Sequence, residues 1–182
     1  MGKEFVIGVT GASGVVYARR LLDILGESAQ VHLIISEVAK TIAQYEGVDL
    51  NGCKARYYDI HRMEAPLSSG SFRHDGMVII PCSMKTLSSI AHGYADNLIT
   101  RAADVTLKER RPCLLVVREM PFNRVHLENL LSAHDAGATV MVASPAFYHH
   151  PTTILDLVDM VVARILDHMG VEHELKVRWE GG

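Results

Sequence analysis

Short, continuously apolar runs recur along the chain, with room for a helix between most of them. They are Phe5–Val9, Val31–Ile35, Met77–Pro81, Cys113–Val117 and Thr139–Ala143. Runs without polar alternation are the mark of strands covered on both faces. Helical spacing fills the intervals. Over Gly14–Leu25 it sets Val15, Leu21, Leu22 and Leu25 on one face, and further helices are predicted at Glu37–Tyr45, Lys85–His92, Arg101–Arg110, Val125–Ala136 and Thr153–Met169. Alternating strands and helices predict an α/β domain whose doubly wound, mostly parallel sheet carries helices on both faces, a three-layer sandwich.

A chain of 182 residues, 48% hydrophobic, suits one such domain with a sizeable core. No repeat or linker divides it, so residues 1–182 read as one unit with a polar C-terminal tail from about Val171. Gly47–His74 is less regular and reads as a long active-site loop or a small excursion. The net charge of -3 and the lack of a basic stripe argue against a nucleic-acid partner. The N-terminal apolar run stops at Gly11, too short for a signal peptide or a membrane span. Cys53, Cys82 and Cys113 are scattered and form no CxxC pair, which suits a reducing compartment, so a cytoplasmic location is expected.

Open α/β sheets bind ligands where their strands end. The segments there are Thr10-Gly11-Ala12-Ser13, Ser36, Cys82-Ser83-Met84-Lys85-Thr86, Arg118-Glu119 and Ser144-Pro145-Ala146-Phe147-Tyr148. All but one carry hydroxyls, which points to a polar ligand. Gly8 to Gly14 forms a strand-to-helix turn whose glycines permit close backbone approach to an anion. No Gly-Lys-Ser/Thr comes after it, so it is not a Walker A loop, and the GxGxxG fingerprint is incomplete. Ser36 stands where a dinucleotide fold carries an acidic residue, which favours a mononucleotide. Pro81–Thr86 reads as a second turn of this kind, with Ser83 or Thr86 capping the helix. Cys82 reads as a small buried residue. Arg101 and Lys108 share a helical face on which a phosphate could sit, and Arg118 offers a planar fork to an anion or a ring edge. Glu119 either pairs with Arg118 or shuttles a proton. The histidines form no HExxH or facial-triad pattern, so no metal is expected.

Taken together, these segments resemble flavin prenyltransferases of the UbiX type over nearly the whole chain. The resemblance is carried by Thr10–Gly14, Ser69-Gly70-Ser71-Phe72, Pro81–Leu87, Ala91–Leu98, Arg101–Val105, Leu107–Arg111, Arg118–Pro121, His126–Asn129 and Pro145–Tyr148. It implies a Rossmann- or flavodoxin-like fold and a metal-independent enzyme. Such an enzyme joins the dimethylallyl group of dimethylallyl phosphate to N5 and C6 of reduced FMN. The product, prenylated FMN, serves a partner aromatic-acid decarboxylase. By position, the resemblance assigns FMN contacts to Gly11, Ala12, Ser13, Ser36, Ser83, Met84, Lys85, Thr86 and Arg118. It assigns proton handling to Ser13, Glu46 and Glu119. The substrate phosphate falls to Tyr148 and Arg164 with Arg101 and Lys108 nearby, and Trp179 to a C-terminal tail that can order over the site. It also implies a homo-oligomer, up to a dodecamer, with sites at subunit contacts. The alternatives are an FMN-dependent cysteine-type decarboxylase of the same fold, or a noncatalytic flavin-binding decarboxylase subunit. Val15-Val16-Tyr17-Ala18 lacks the histidine base that the first alternative would use.

Overall fold

In the computed structural model, residues 2–175 are described. Strands β1 (Lys3–Val9), β2 (Ala29–Ile35), β3 (Arg56–Tyr58), β4 (Gly76–Cys82), β5 (Cys113–Val117) and β6 (Thr139–Val142) form one parallel sheet in the order β3-β2-β1-β4-β5-β6. Helices α1 (Val15–Ser28), α2 (Glu37–Glu46), α3 (Met84–Ala91), α4 (Leu98–Lys108), α5 (Arg124–Asp135) and α6 (Ile154–His168) connect and cover it. The predicted doubly wound sheet is therefore observed.

The apolar runs face two cores at once. Phe5, Ile7 and Val9 of β1 pack with Leu21, Leu22 and Leu25 of α1 and with Val162 and Ile165 of α6. Val6 of the same strand joins Leu87 of α3 and Leu98 and Ile99 of α4 on the opposite face. This division is why the strands lack polar alternation. Each fully buried leucine or isoleucine contributes on the order of 2 kcal/mol. Gly8 lets α4 approach, since a Cβ there would lie 3.1 Å from Ile99 Cγ2. Arg20 and Asp159 tie α1 to α6 by a two-pronged ion pair at 2.6 and 3.1 Å.

Two sequence expectations change. The stretch expected to be a loop or excursion holds a short edge strand, β3, paired with β2, and a 3₁₀ turn at Pro66–Ser68. A three-residue strand is too short to show a period. The helix predicted from Arg101 begins at Leu98, because Asn97 caps it by accepting from the N–H of Ile99 and Thr100. No described helix is long and apolar enough to cross a membrane.

Candidate active site

The chain winds from β1 to β2 on one side and reaches β4 and β5 on the other, so the carboxyl ends of β1 and β4 flank the switch point. Thr10, buried at the end of β1, stitches them together. Its hydroxyl donates to Pro81 O at 2.8 Å and accepts from Ser83 N at 2.8 Å. Above this stitch lies a cavity of about 390 Å³. Thr10–Ala12, Ser36, Val38, Ser83–Thr86, Arg118 and Glu119 line it, with Ile60, Ser89, Asn97, Ile99 and Thr100 on the far wall.

Helix starts converge on this space. Ser36 caps α2 by accepting from Ala39 N, and Ser83 caps α3 by accepting from Thr86 N. Thr86 is thus not the cap. The first N–H groups of a helix find no partner within it, so those at Glu37, Val38, Met84 and Lys85 remain for a ligand, with both helix dipoles favouring an anion. Gly11 brings the backbone against the cavity where no side chain fits: a Cβ would lie 2.6 Å from Val38 Cγ1. The cavity can therefore take an anion at the α2 and α3 end and a flat ring between the Gly11 turn and Ile60 and Ile99.

The first helix behaves differently. Its sequence suggests a phosphate cradle at the start. Instead Gly14 is the N-cap, left-handed at φ 102°, without a side-chain cap of its own. Glu46, the last residue of α2, fills the place: one carboxylate oxygen accepts from Gly14 N and the other from Val15 N, both at 2.8 Å. A negative charge already occupies the α1 terminus, so the anion position moves to α2 and α3. Ser13, Gly14, Glu46 and Arg118 border a second hollow of about 520 Å³, completed by Val16, Tyr17, Val48, Ala143 and Ile154. Arg118 lines both spaces. It donates from Nε to Ser13 O at 3.2 Å, while the Glu119 carboxylate accepts from Met120 N at 2.9 Å.

The expected residues thus fall into groups. Gly11, Ala12, Ser36, Ser83, Met84, Lys85, Thr86, Arg118 and Glu119 line the first cavity. Ser13 and Glu46 line the second. Arg101, Lys108, Tyr148 and Arg164 line neither. Arg101 donates to Ser68 O at 3.2 Å and pairs with Asp104, Lys108 pairs with Glu109, and Arg164 pairs with Asp167 at 3.0 Å. Exposed Tyr148 packs edge-on against His149. Trp179 lies outside the described residues. Cys82 is fully buried and burial pushes its thiol far up, as suits an inert core residue. Sequence reasoning missed the stitching by Thr10, although its hydroxyl at a strand end was visible. It also missed Val38, Asn97 and Thr100, whose proximity only the packing of α2 and α4 creates.

Comparison with known proteins gives the same outline. The Flavoprotein family model matches residues 1–166. Flavin prenyltransferase UbiX of Methanocaldococcus jannaschii is 47% identical over 180 residues, 97% of this chain and 98% of the relative. The crystal structure of AnUbiX (PadA1) in complex with FMN and dimethylallyl pyrophosphate superposes with a TM-score of 0.96 at 40% identity, covering all of both chains. A dodecameric FMN-dependent UbiX-like decarboxylase from Escherichia coli O157:H7 gives 0.94 at 45%, covering 98% of this chain and 100% of its own.

Proposed function

The chain belongs to the flavin prenyltransferase family of flavoproteins, and from that premise we propose that it joins a dimethylallyl group from dimethylallyl phosphate to reduced FMN. The observation that carries this reading is the convergence of two free helix starts, the side-chain-free Gly11 turn and the Arg118-Glu119 pair on one cavity. Reduced FMN supplies the two nucleophilic atoms: N5 bonds the allylic carbon as inorganic phosphate leaves and gives up its proton, and C6 bonds the tertiary carbon as the alkene takes up a proton at its other carbon. The end product is prenylated FMN for a partner aromatic-acid decarboxylase.

Each group of residues then has a task. Ser36, Ser83, Met84, Lys85 and Thr86 hold the FMN phosphate through hydroxyls and backbone N–H groups. Gly11 and Ala12 admit the ring, and Arg118 meets its edge with a planar guanidinium. The reactive end lies toward Ser13, Glu46 and Glu119, with Arg118 bordering both hollows. Glu119 accepts the proton that C6 gives up on ring closure. The apolar side chains Val16, Val48, Ala143 and Ile154 offer the allylic carbon a surface poor in hydrogen-bonding groups.

Arg101, Lys108, Tyr148 and Arg164 receive the substrate phosphate, where their charge and hydroxyl stabilise the leaving anion. Since they line neither hollow within one chain, this assignment requires a homo-oligomer whose contacts bring them to a site. The dodecameric relative supports such an assembly. The chain works as one domain, in the cytoplasm, where its three thiols stay reduced.

The test is anaerobic incubation of the protein with reduced FMN and dimethylallyl phosphate, then measurement of flavin mass. Gain of one prenyl unit is expected, and its absence with intact controls sinks the reading. In the same assay Glu119→Gln should retain FMN and slow transfer by about 10²-fold. Wild-type turnover in that variant would remove its proton role.

A further inference from the structure

Ser13 O and Gly14 N belong to one peptide unit, and both are held from outside the turn. Arg118, at the end of β5, donates to the carbonyl, and Glu46, at the end of α2, accepts from the N–H. Glu46 also takes the next amide, that of Val15. We infer that Glu46 is a positioning residue: with Arg118 it clamps the Ser13–Gly14 peptide, fixing the Ser13 hydroxyl and barring anions from the start of α1.

Its location breaks a local rule. A carboxylate at the C-terminal end of its own helix opposes that helix's dipole, and α2 has no basic residue in its last turn to offset it. The opposing cost is met by α1, whose N-terminus the same carboxylate neutralises. Local rules broken without local compensation concentrate where function demands them. The turn also offers no substitute. Gly14 is held at φ 102°, and a Cβ there would meet the Tyr17 ring at 3.0 and 3.1 Å, so only glycine suits the cap position. Without Glu46, the Gly14 and Val15 amides return to being an ordinary anion site at a helix start. A phosphate drawn there would place the ligand in reverse, with its anion beside Ser13. With Glu46 in place, the free helix starts are those of α2 and α3, and the cavity imposes one direction on the bound flavin.

This inference rests on the prenyltransferase reading, but part of its test does not. In a double-mutant cycle of Glu46→Gln and Ser13→Ala, transfer to reduced FMN is measured across pH. Glu46→Gln is expected to lower kcat by about 10²-fold, the scale of a small misplacement, and to leave FMN affinity nearly unchanged. The double variant falls no further than the slower single one, and the pH profile of Glu46→Gln keeps the wild-type limbs. Additive losses, or loss of a limb, would overturn the assignment, the latter by showing that Glu46 itself exchanges the proton. Amide exchange is read alongside: Gly14 is expected to be protected in the wild-type protein and unprotected in Glu46→Ala, which leaves no side-chain acceptor. An unprotected Gly14 in wild type sinks the clamp even if the variant does not fold. Should wild type give no prenylated flavin, the proposed activity fails, and amide exchange still decides the clamp.

Discussion

Thr10 and Ser83 join the two strands that flank the switch point. The Thr10 hydroxyl accepts from Ser83 N at 2.8 Å and donates to Pro81 O at the same distance. With the Thr10 backbone N–H, which also donates to Pro81 O at 3.2 Å, this side chain ties the Gly11 turn to the start of α3, two walls of the cavity.

Thr10→Val keeps the shape and removes both bonds. Pro81 O keeps the backbone N–H of Thr10 at 3.2 Å, while the Ser83 N–H loses its partner beside a side chain only 2% exposed. A loss of about 1–3 kcal/mol is expected in denaturant unfolding, together with weaker FMN binding by fluorescence titration. Unchanged stability would show that the stitch is incidental.

Gly11→Ala should block flavin binding through one contact. The added methyl would fall 2.6 Å from Val38 Cγ1 and 2.9 Å from Val38 Cβ, closer than carbon atoms approach. Val38→Gly in the same chain removes both of those atoms, so the double variant should recover most of the affinity. A double variant as weak as the single one would place the fault elsewhere in the turn.

The start of α6 gives a pH signature. Asp156 accepts from the N–H of Thr152 and Thr153, which hold its carboxyl down at about 2. A folded value below the ordinary carboxylate value of roughly 3.9 means that the charged form stabilises the folded state. The contribution is complete above pH ~4 and is lost as pH falls toward 2. The stability gap between wild type and Asp156→Asn should therefore be flat from pH ~5 to 7 and close on acidification. A gap independent of pH throughout would refute the capping account.

Most of the first cavity was legible because it is built from the residues just past each strand. Ser36, Ser83 and Arg118-Glu119 were identifiable as strand-end residues before any packing was known. Arg101 and Lys108 were correctly placed on one helical face, yet that face turns toward Ser68–Gly70 rather than the cavity. A helical period fixes which residues share a side and leaves open what that side meets.

By itself the sequence determined the class of fold, since largely apolar strands must be covered on both faces and helices alternating with them were present to cover them. It also determined that hydroxyls and glycines would gather at the strand ends. Only the tertiary structure decided which helix starts are left open to an anion. That choice depends on Glu46, which reaches Gly14 and Val15 across sequence separations of 32 and 31 residues. A carboxylate and a phosphate cannot share one helix terminus, and the chain brings Glu46 there only when α2 packs beside α1.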